Sequence, residues 1–214
     1  MTRSQKVSKR IFDLFFSIFG LIIFFPVILI CIFVARIETR ASGLFSQRRV
    51  GKQGKSFNVH KIRTMYDEPS MKGVYVTTAD DKRITKSGRF FRKLKLDELP
   101  QLWNVLIGEM SFVGPRPDVP GYYDSLKGDL RDVLQLRPGI TGPATIKYRH
   151  EEALLANCQD AEEYNDCVVF PDKVQLNLLY LENWSLSLDV FYILVTLKVL
   201  KVPEELNIAP ERTI

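Results

Sequence analysis

The chain has 214 residues, 46% hydrophobic and 26% charged, with 3 cysteines and 2 histidines. That composition excludes a disordered polymer, a disulfide scaffold and a zinc cluster built from paired Cys or His. The net charge of +5 conceals an asymmetry, +11 over residues 1–110 and −6 over 111–214, so the first half calls for an anionic partner: phosphate, nucleic acid or anionic lipid.

Leu14 to Val34 is apolar throughout except for Ser17, and carries Gly20 and Pro26. As a helix these 21 residues match a hydrocarbon layer of roughly 30 Å. The run is too long for a signal-peptide core, and no Ala-x-Ala follows it. Two readings remain: a spanning helix, or a re-entrant helix-break-helix hairpin bent at Pro26. Basic residues flank the run on both sides, Arg3, Lys6, Lys9 and Arg10 before it and Arg36, Arg40, Arg48 and Arg49 after it, which suits two ends on one cytoplasmic face. Asp13, at the mouth of the run, has Arg10 as an i−3 partner. Residues 1–40 are read as the membrane element and residues 41–214 as a cytoplasmic domain. The unpaired cysteines agree with a reducing compartment.

Leu44–Arg49 and Ser56–Arg63 read as strands around the Gly51-Lys52-Gln53-Gly54 turn. Residues 67–88 read as a polar loop, and Phe90–Lys95 as a basic amphipathic stretch. From Asp97, Leu99, Leu102, Trp103, Leu106 and Ile107 recur at helical spacing, with Gly108 as the stop. Asp97 would be the N-cap and Pro100 a first-turn residue. A polar helical stretch follows near 120–135, then acidic helices over 151–182. Trp184–Leu200 is an apolar helix, either packed in the core or lying at the membrane interface. The fold class expected is α/β, mostly helical, with one short β-hairpin.

The chemistry concentrates at Asp97-Glu98. Two acids at a helix start can simply complement the helix dipole. Yet Arg89, Arg92, Lys93 and Lys95 precede them, and Arg116 follows between Pro115 and Pro117. Cations converging on a helix start make a phosphate site, and adjacent carboxylates there can cradle Mg²⁺ or supply a nucleophile. Flanking prolines stiffen Arg116 as a phosphate clamp, although a solvated turn has the same sequence. Arg137-Pro138-Gly139 carries the same ambiguity.

Seven segments in order resemble the bacterial sugar transferase family, the monotopic polyprenyl-phosphate phosphoglycosyltransferases. They are Lys9–Asp13; the apolar run with its central proline; Phe45–Gly51; Lys61–Met65; Leu96–Leu106; Met110–Pro117; and Arg137–Gly142. The resemblance implies transfer of a phosphosugar from a UDP-sugar to polyprenyl phosphate, with release of UMP. It puts the nucleophile at Asp97 and assigns Glu98, with Asp97, to Mg²⁺ or to proton handling. Arg92, Arg116, Arg63, Lys61 and Arg137 fall at its phosphate-binding positions. The expected cofactor is Mg²⁺. The expected partners are the two substrates, the bacterial inner membrane and a second copy of the chain, with no nucleic acid. Two other readings stay in view: a membrane-bound glycosyltransferase that moves only the sugar and releases UDP, and a basic membrane scaffold without catalysis. Phe25-Pro26 stands where the family often has Ser-Pro, and residues 143–152 depart from its usual pattern, so the sugar does not carry over.

Overall fold

The computed structural model describes residues 1–67, 81–156 and 158–206. Most of the loop expected over 67–88 lies outside them. Its last residues begin a helix instead.

Helix α1 (Arg3–Thr39) starts at a reciprocal cap, in which Thr2 Oγ1 accepts from Gln5 N at 3.2 Å and Gln5 Oε1 accepts from Thr2 N at 2.7 Å. It ends at Arg40, in the left-handed conformation. Pro26 lies inside it without interrupting it. The expected helix-break-helix is therefore one continuous helix; a proline removes a single interior N–H, and a helix of this length can absorb that as a bend. It is long and apolar enough to cross a membrane, yet both its ends are fastened to the rest of the chain. Near its start, Lys9 reaches Asp189, Arg10 donates to Val105 O (2.6 Å) and Leu106 O (2.7 Å), and Asp13 Oδ1 accepts from Ser111 Oγ (3.0 Å) and Phe112 N (3.1 Å). Arg10 and Asp13, the expected i−3 pair, act on each other as charges, while their hydrogen bonds go to these other partners. Near its end, Cys31 and Ala35 pack on Ile62 and Phe91. Gly43 passes so close to Ile32 that a Cβ would lie 2.0 Å from its carbonyl oxygen, so only glycine allows the chain to double back here. The other face of α1, including Phe15, Ile22, Phe25, Ile30 and Phe33, is bare.

Strands β1 (Leu44–Val50) and β2 (Ser56–Ile62) form the expected antiparallel hairpin, with Ser46 opposite His60. Helix α2 (Lys86–Lys93) is capped by Thr85 Oγ1, which accepts from Gly88 N. Glu38, at the end of α1, adds to that cap by accepting from Lys86 N (2.9 Å) and from Ser87. Helix α3 (Gln101–Ile107) stops at Gly108, φ +90°. A second, unforeseen sheet pairs β3 (Ser111–Val113) with β4 (Gly139–Thr141) in parallel. The stretch near 120–135 winds as 3₁₀ turns.

Then come α4 (Pro143–Lys147), α5 (Glu151–Ala156), α6 (Ala161–Tyr164), a π turn over Asn165–Val169, α7 (Phe170–Glu182) and α8 (Leu186–Thr196). The largest core cluster joins Val113, Leu136, Ile146, Tyr180, Leu181, Trp184, Tyr192 and Val195. A second, Phe57, Val59, Val105 and Met110, seats β2 on α3. Helix α8 is thus half core and half bare: Tyr192 and Val195 are buried, while Leu186 and Val190, and Leu197 and Val199 just after the helix, are exposed.

Candidate active site

Asp97 and Glu98 lie in a 3₁₀ turn, Leu96–Glu98, between α2 and α3. Asp97 is not the N-cap of α3; that position is Pro100. The segment closes i→i+3 bonds instead, Leu99 N donating to Leu96 O at 3.2 Å and Leu102 N to Leu99 O at 3.1 Å, so the chain winds as 3₁₀ before α3 begins. The turn is entered through Lys95, a non-glycine residue held in the left-handed region at φ 58°, which costs about 1–2 kcal/mol and turns the chain sharply out of α2.

The two carboxylates have opposite surroundings. Glu98 Oε1 accepts from Arg116 at 3.2 Å and has Lys61 Nζ at 3.6 Å. Burial alone would raise its pKa, but Arg116, Lys61 and Lys95 together outweigh burial and bring it down to about 2. Glu98 is a fixed anion. Asp97 is buried, and its Oδ1 has no hydrogen-bond partner. Burial and the neighbouring Glu98 charge raise its pKa, against Lys61, Lys95 and Arg92. An under-solvated carboxylate oxygen near three cations is suited to attack a phosphorus or to meet a cation.

Lys61 comes from β2, and burial lowers its pKa against the pull of Glu98. Arg116 rises from the segment after β3, where Gly114 N donates to Thr141 O (2.9 Å) and Gly139 N to Pro115 O (2.8 Å). Its side chain is 47% exposed, open to an incoming anion. Arg49 and Asp118, 3.8 Å apart, continue the charged wall beyond it; from the sequence Arg49 was read as a flank of the apolar run and Asp118 carried no signal.

Two expected phosphate ligands are engaged by other partners. Arg63 is held by Asp67 (2.7 Å), by Ser42 O (2.6 Å) and over the Phe45 ring. Arg137 sits at the opposite end of α3, donating Nε to Gly108 O at 2.8 Å. With Arg10 it covers the carbonyl end of that helix, where cations complement the dipole. The structure thus gathers Asp97, Glu98, Lys61 and Arg116, keeps Arg92 near enough to act on Asp97, and commits Arg63 and Arg137 to other work.

The chain matches the bacterial sugar transferase family over residues 4–202. It is 37% identical to the uncharacterized sugar transferase EpsL of Bacillus subtilis over 198 residues, 92% of this chain and 89% of that protein. Against the undecaprenyl-phosphate glucose phosphotransferase of Komagataeibacter xylinus it is 35% identical over 204 residues, 90% of this chain and 35% of that one. Against the UDP-glucose:undecaprenyl-phosphate glucose-1-phosphate transferase of Klebsiella pneumoniae it is 34% identical over 194 residues, 89% of this chain and 39% of that one. The chain therefore spans most of EpsL and well under half of the other two. It belongs to the bacterial sugar transferase family. That membership makes it an enzyme and sets aside the scaffold reading.

Proposed function

We propose that this enzyme is a phosphoglycosyltransferase acting at the inner face of the bacterial cytoplasmic membrane. It moves a sugar 1-phosphate from a UDP-sugar to a polyprenyl phosphate, the first membrane-bound step in building a glycan. The observation that carries the reading is the unpaired, buried Oδ1 of Asp97 beside the cation-locked Glu98.

In the first step an Asp97 carboxylate oxygen attacks the sugar-linked phosphorus. The P–O bond of the diphosphate breaks, UMP leaves, and the phosphosugar is held as an acyl phosphate on Asp97. In the second, a phosphate oxygen of the polyprenyl phosphate attacks the same phosphorus, forms the new diphosphate and frees Asp97. Arg116 and Lys61 offset the negative charge that gathers on the phosphoryl oxygens, and such preorganised charge is the main lever in phosphoryl transfer. Glu98 holds these two cations in place. Arg92 contributes at longer range.

Asp97 fits a magnesium ion, because its buried Oδ1 lacks a partner. Glu98 Oε1 is already engaged by two cations. Among the described residues no three His, Cys, Asp or Glu converge, so substrate phosphates would complete the shell, as Mg²⁺ commonly requires. When bound, Mg²⁺ offsets diphosphate charge.

We read α1 as entering and leaving the membrane on one face. Lys9 and Glu38 bind the same body from opposite ends of the helix, whose bare face is apolar. That arrangement, with exposed Trp103 and Ile107 on α3 and Leu197 and Val199 after α8, brings the Asp97 turn close to a lipid-borne phosphate. The test is nucleotide release from purified protein with Mg²⁺, undecaprenyl phosphate and a panel of UDP-sugars. UMP that appears with one sugar and is lost in Asp97→Asn supports the reading. UDP in place of UMP converts it to transfer of the sugar alone.

A further inference from the structure

Asn104 lies midway along α3, wholly buried against β2. Its side chain is fully engaged. Oδ1 accepts from His60 N at 3.1 Å, and Nδ2 donates to Asn58 O at 2.8 Å and to Glu109 Oε2 at 2.7 Å. In a strand, the C=O of one residue and the N–H of the residue two on point to the same side. Asn58 O and His60 N are therefore the pair that one residue of a neighbouring parallel strand would bind. The carboxamide of Asn104 occupies the open edge of β2 as such a residue would. The sheet on the other side is only the β1–β2 hairpin.

Apolar contacts also join β2 to α3, through Phe57, Val59, Val105 and Met110. Those contacts hold the elements together but are not directional. Two hydrogen bonds to defined backbone atoms fix where along β2 the helix sits, and a slip of one residue would turn Lys61 to the other face. Lys61 follows His60 directly, and Glu98 lies six residues before Asn104 on the same tightly wound segment. The contacts Asn104–His60 and Glu98–Lys61 thus close a short loop between two rigid pieces.

We propose that Asn104 is a positioning residue: its carboxamide sets the register of β2 on α3 and thereby places Lys61 against Glu98. This inference rests on the Asp97–Glu98 turn being the reaction centre. It assigns Asn104 a part in the transfer without contact to substrate.

The test is a double-mutant cycle on the full chain in detergent, with the UDP-sugar that supports UMP release. The variants are Asn104→Ala, Lys61→Met and the two combined, with thermal unfolding recorded for each. Asn104→Ala and Lys61→Met are each expected to lower kcat/KM by about tenfold. In the Lys61→Met background, Asn104→Ala is expected to cost less than about twofold, because the placement of an absent charge no longer matters. A double variant whose loss is the product of the two single losses overturns the proposal and leaves Asn104 as a packing residue. If Asn104→Ala does not fold, Asn104→Asp with Glu109→Gln replaces it. That pair keeps the volume, the acceptor for His60 N and a link to residue 109, and sets a carboxylate oxygen against Asn58 O where an N–H had donated. An undiminished loss for it in the Lys61→Met background overturns the proposal equally. Absence of UMP release by the unsubstituted chain refutes the reaction itself, a result distinct from additivity.

Discussion

The Lys9–Asp189 pair gives a sharp test of how α1 is held. The two side chains are 8% and 1% exposed, with Nζ 2.6 Å from Oδ2. Asp189 also accepts from Tyr180 OH at 2.5 Å and from Trp184 Nε1 at 3.2 Å. Asp189→Ala would take the counter-ion from the buried Lys9 ammonium, which keeps its bond to Tyr180 OH at 3.0 Å, and would strand the indole N–H, whereas Tyr180 OH keeps a fallback at Val113 O, 3.4 Å away. Removing one partner of a buried pair costs about 3–5 kcal/mol. For a chain of this size each kcal/mol moves the melting temperature by about 2–4 °C, so a fall of about 6–20 °C is expected. Removing both charges should recover part of it, since Lys9→Met with Asp189→Leu leaves no unpaired ammonium, although the indole N–H loses its acceptor and buried Asp13 loses the nearby Lys9 charge. The assay is thermal unfolding in detergent, followed by tryptophan fluorescence. A melting temperature for Asp189→Ala within about 2 °C of the unsubstituted chain would refute the reasoning, because a buried ammonium that loses its counter-ion cannot be that cheap. So would a double variant whose loss equals the sum of the two single losses.

Other expectations follow from the site and its supports. Because Asp97 has a raised pKa and must be ionised to attack, the rate of UMP release should fall with decreasing pH above the usual aspartate range. Lys61→Met removes a charge that opposes the rise and should move that limb further up in a pH–rate profile. Glu98, lowered to about 2 from an ordinary 4.5, contributes stability that is full above about pH 4.5 and is lost as pH falls toward 2. Urea midpoints between pH 6 and pH 3 should therefore fall less for Glu98→Gln than for the unsubstituted chain. Gly114→Ala would set a Cβ 2.2 Å from Arg137 O, and Gly20→Ala one 3.2 Å from the flexible Leu102 side chain. Thermal unfolding should show a loss above about 3 kcal/mol for the first and under about 1 kcal/mol for the second. Glu38→Gln should weaken the added cap on α2 by about 1 kcal/mol, read as faster hydrogen exchange at Lys86 and Ser87.

What the sequence disclosed depended on how far apart the interacting residues lie. The β1–β2 hairpin was legible because apolar–polar alternation and a Gly-bounded turn sit within twenty residues. The Asp97–Glu98 turn stood out in the sequence because Arg92 and Lys95 lie beside it, whereas Lys61, from β2, and Arg116, from the segment after β3, are brought to it by the fold. The second sheet was not, since three-residue strands show no period and 25 residues separate β3 from β4. Arg63 and Arg137 look from the sequence as suited to phosphate as Arg116 does. Only the folded chain shows that Asp67 and the end of α3 already hold them. Asn104 carried one faint signal, a polar side chain in the midst of Leu102, Trp103, Val105 and Leu106. Its partners on β2 are set by tertiary packing alone.

The clasp between Lys9 and Asp189 joins residues 180 positions apart. During synthesis, at about 5–20 residues per second, α1 leaves the ribosome many seconds before its partner exists. Through that interval Lys9 and Asp13 are ionisable groups beside an apolar helix, with Asp189, Ser111 and Phe112 still to come. The helix cannot take its final seat by insertion alone. Completion of the carboxyl-terminal helices is what locks it, and a chain cut short before Asp189 would leave α1 without its latch.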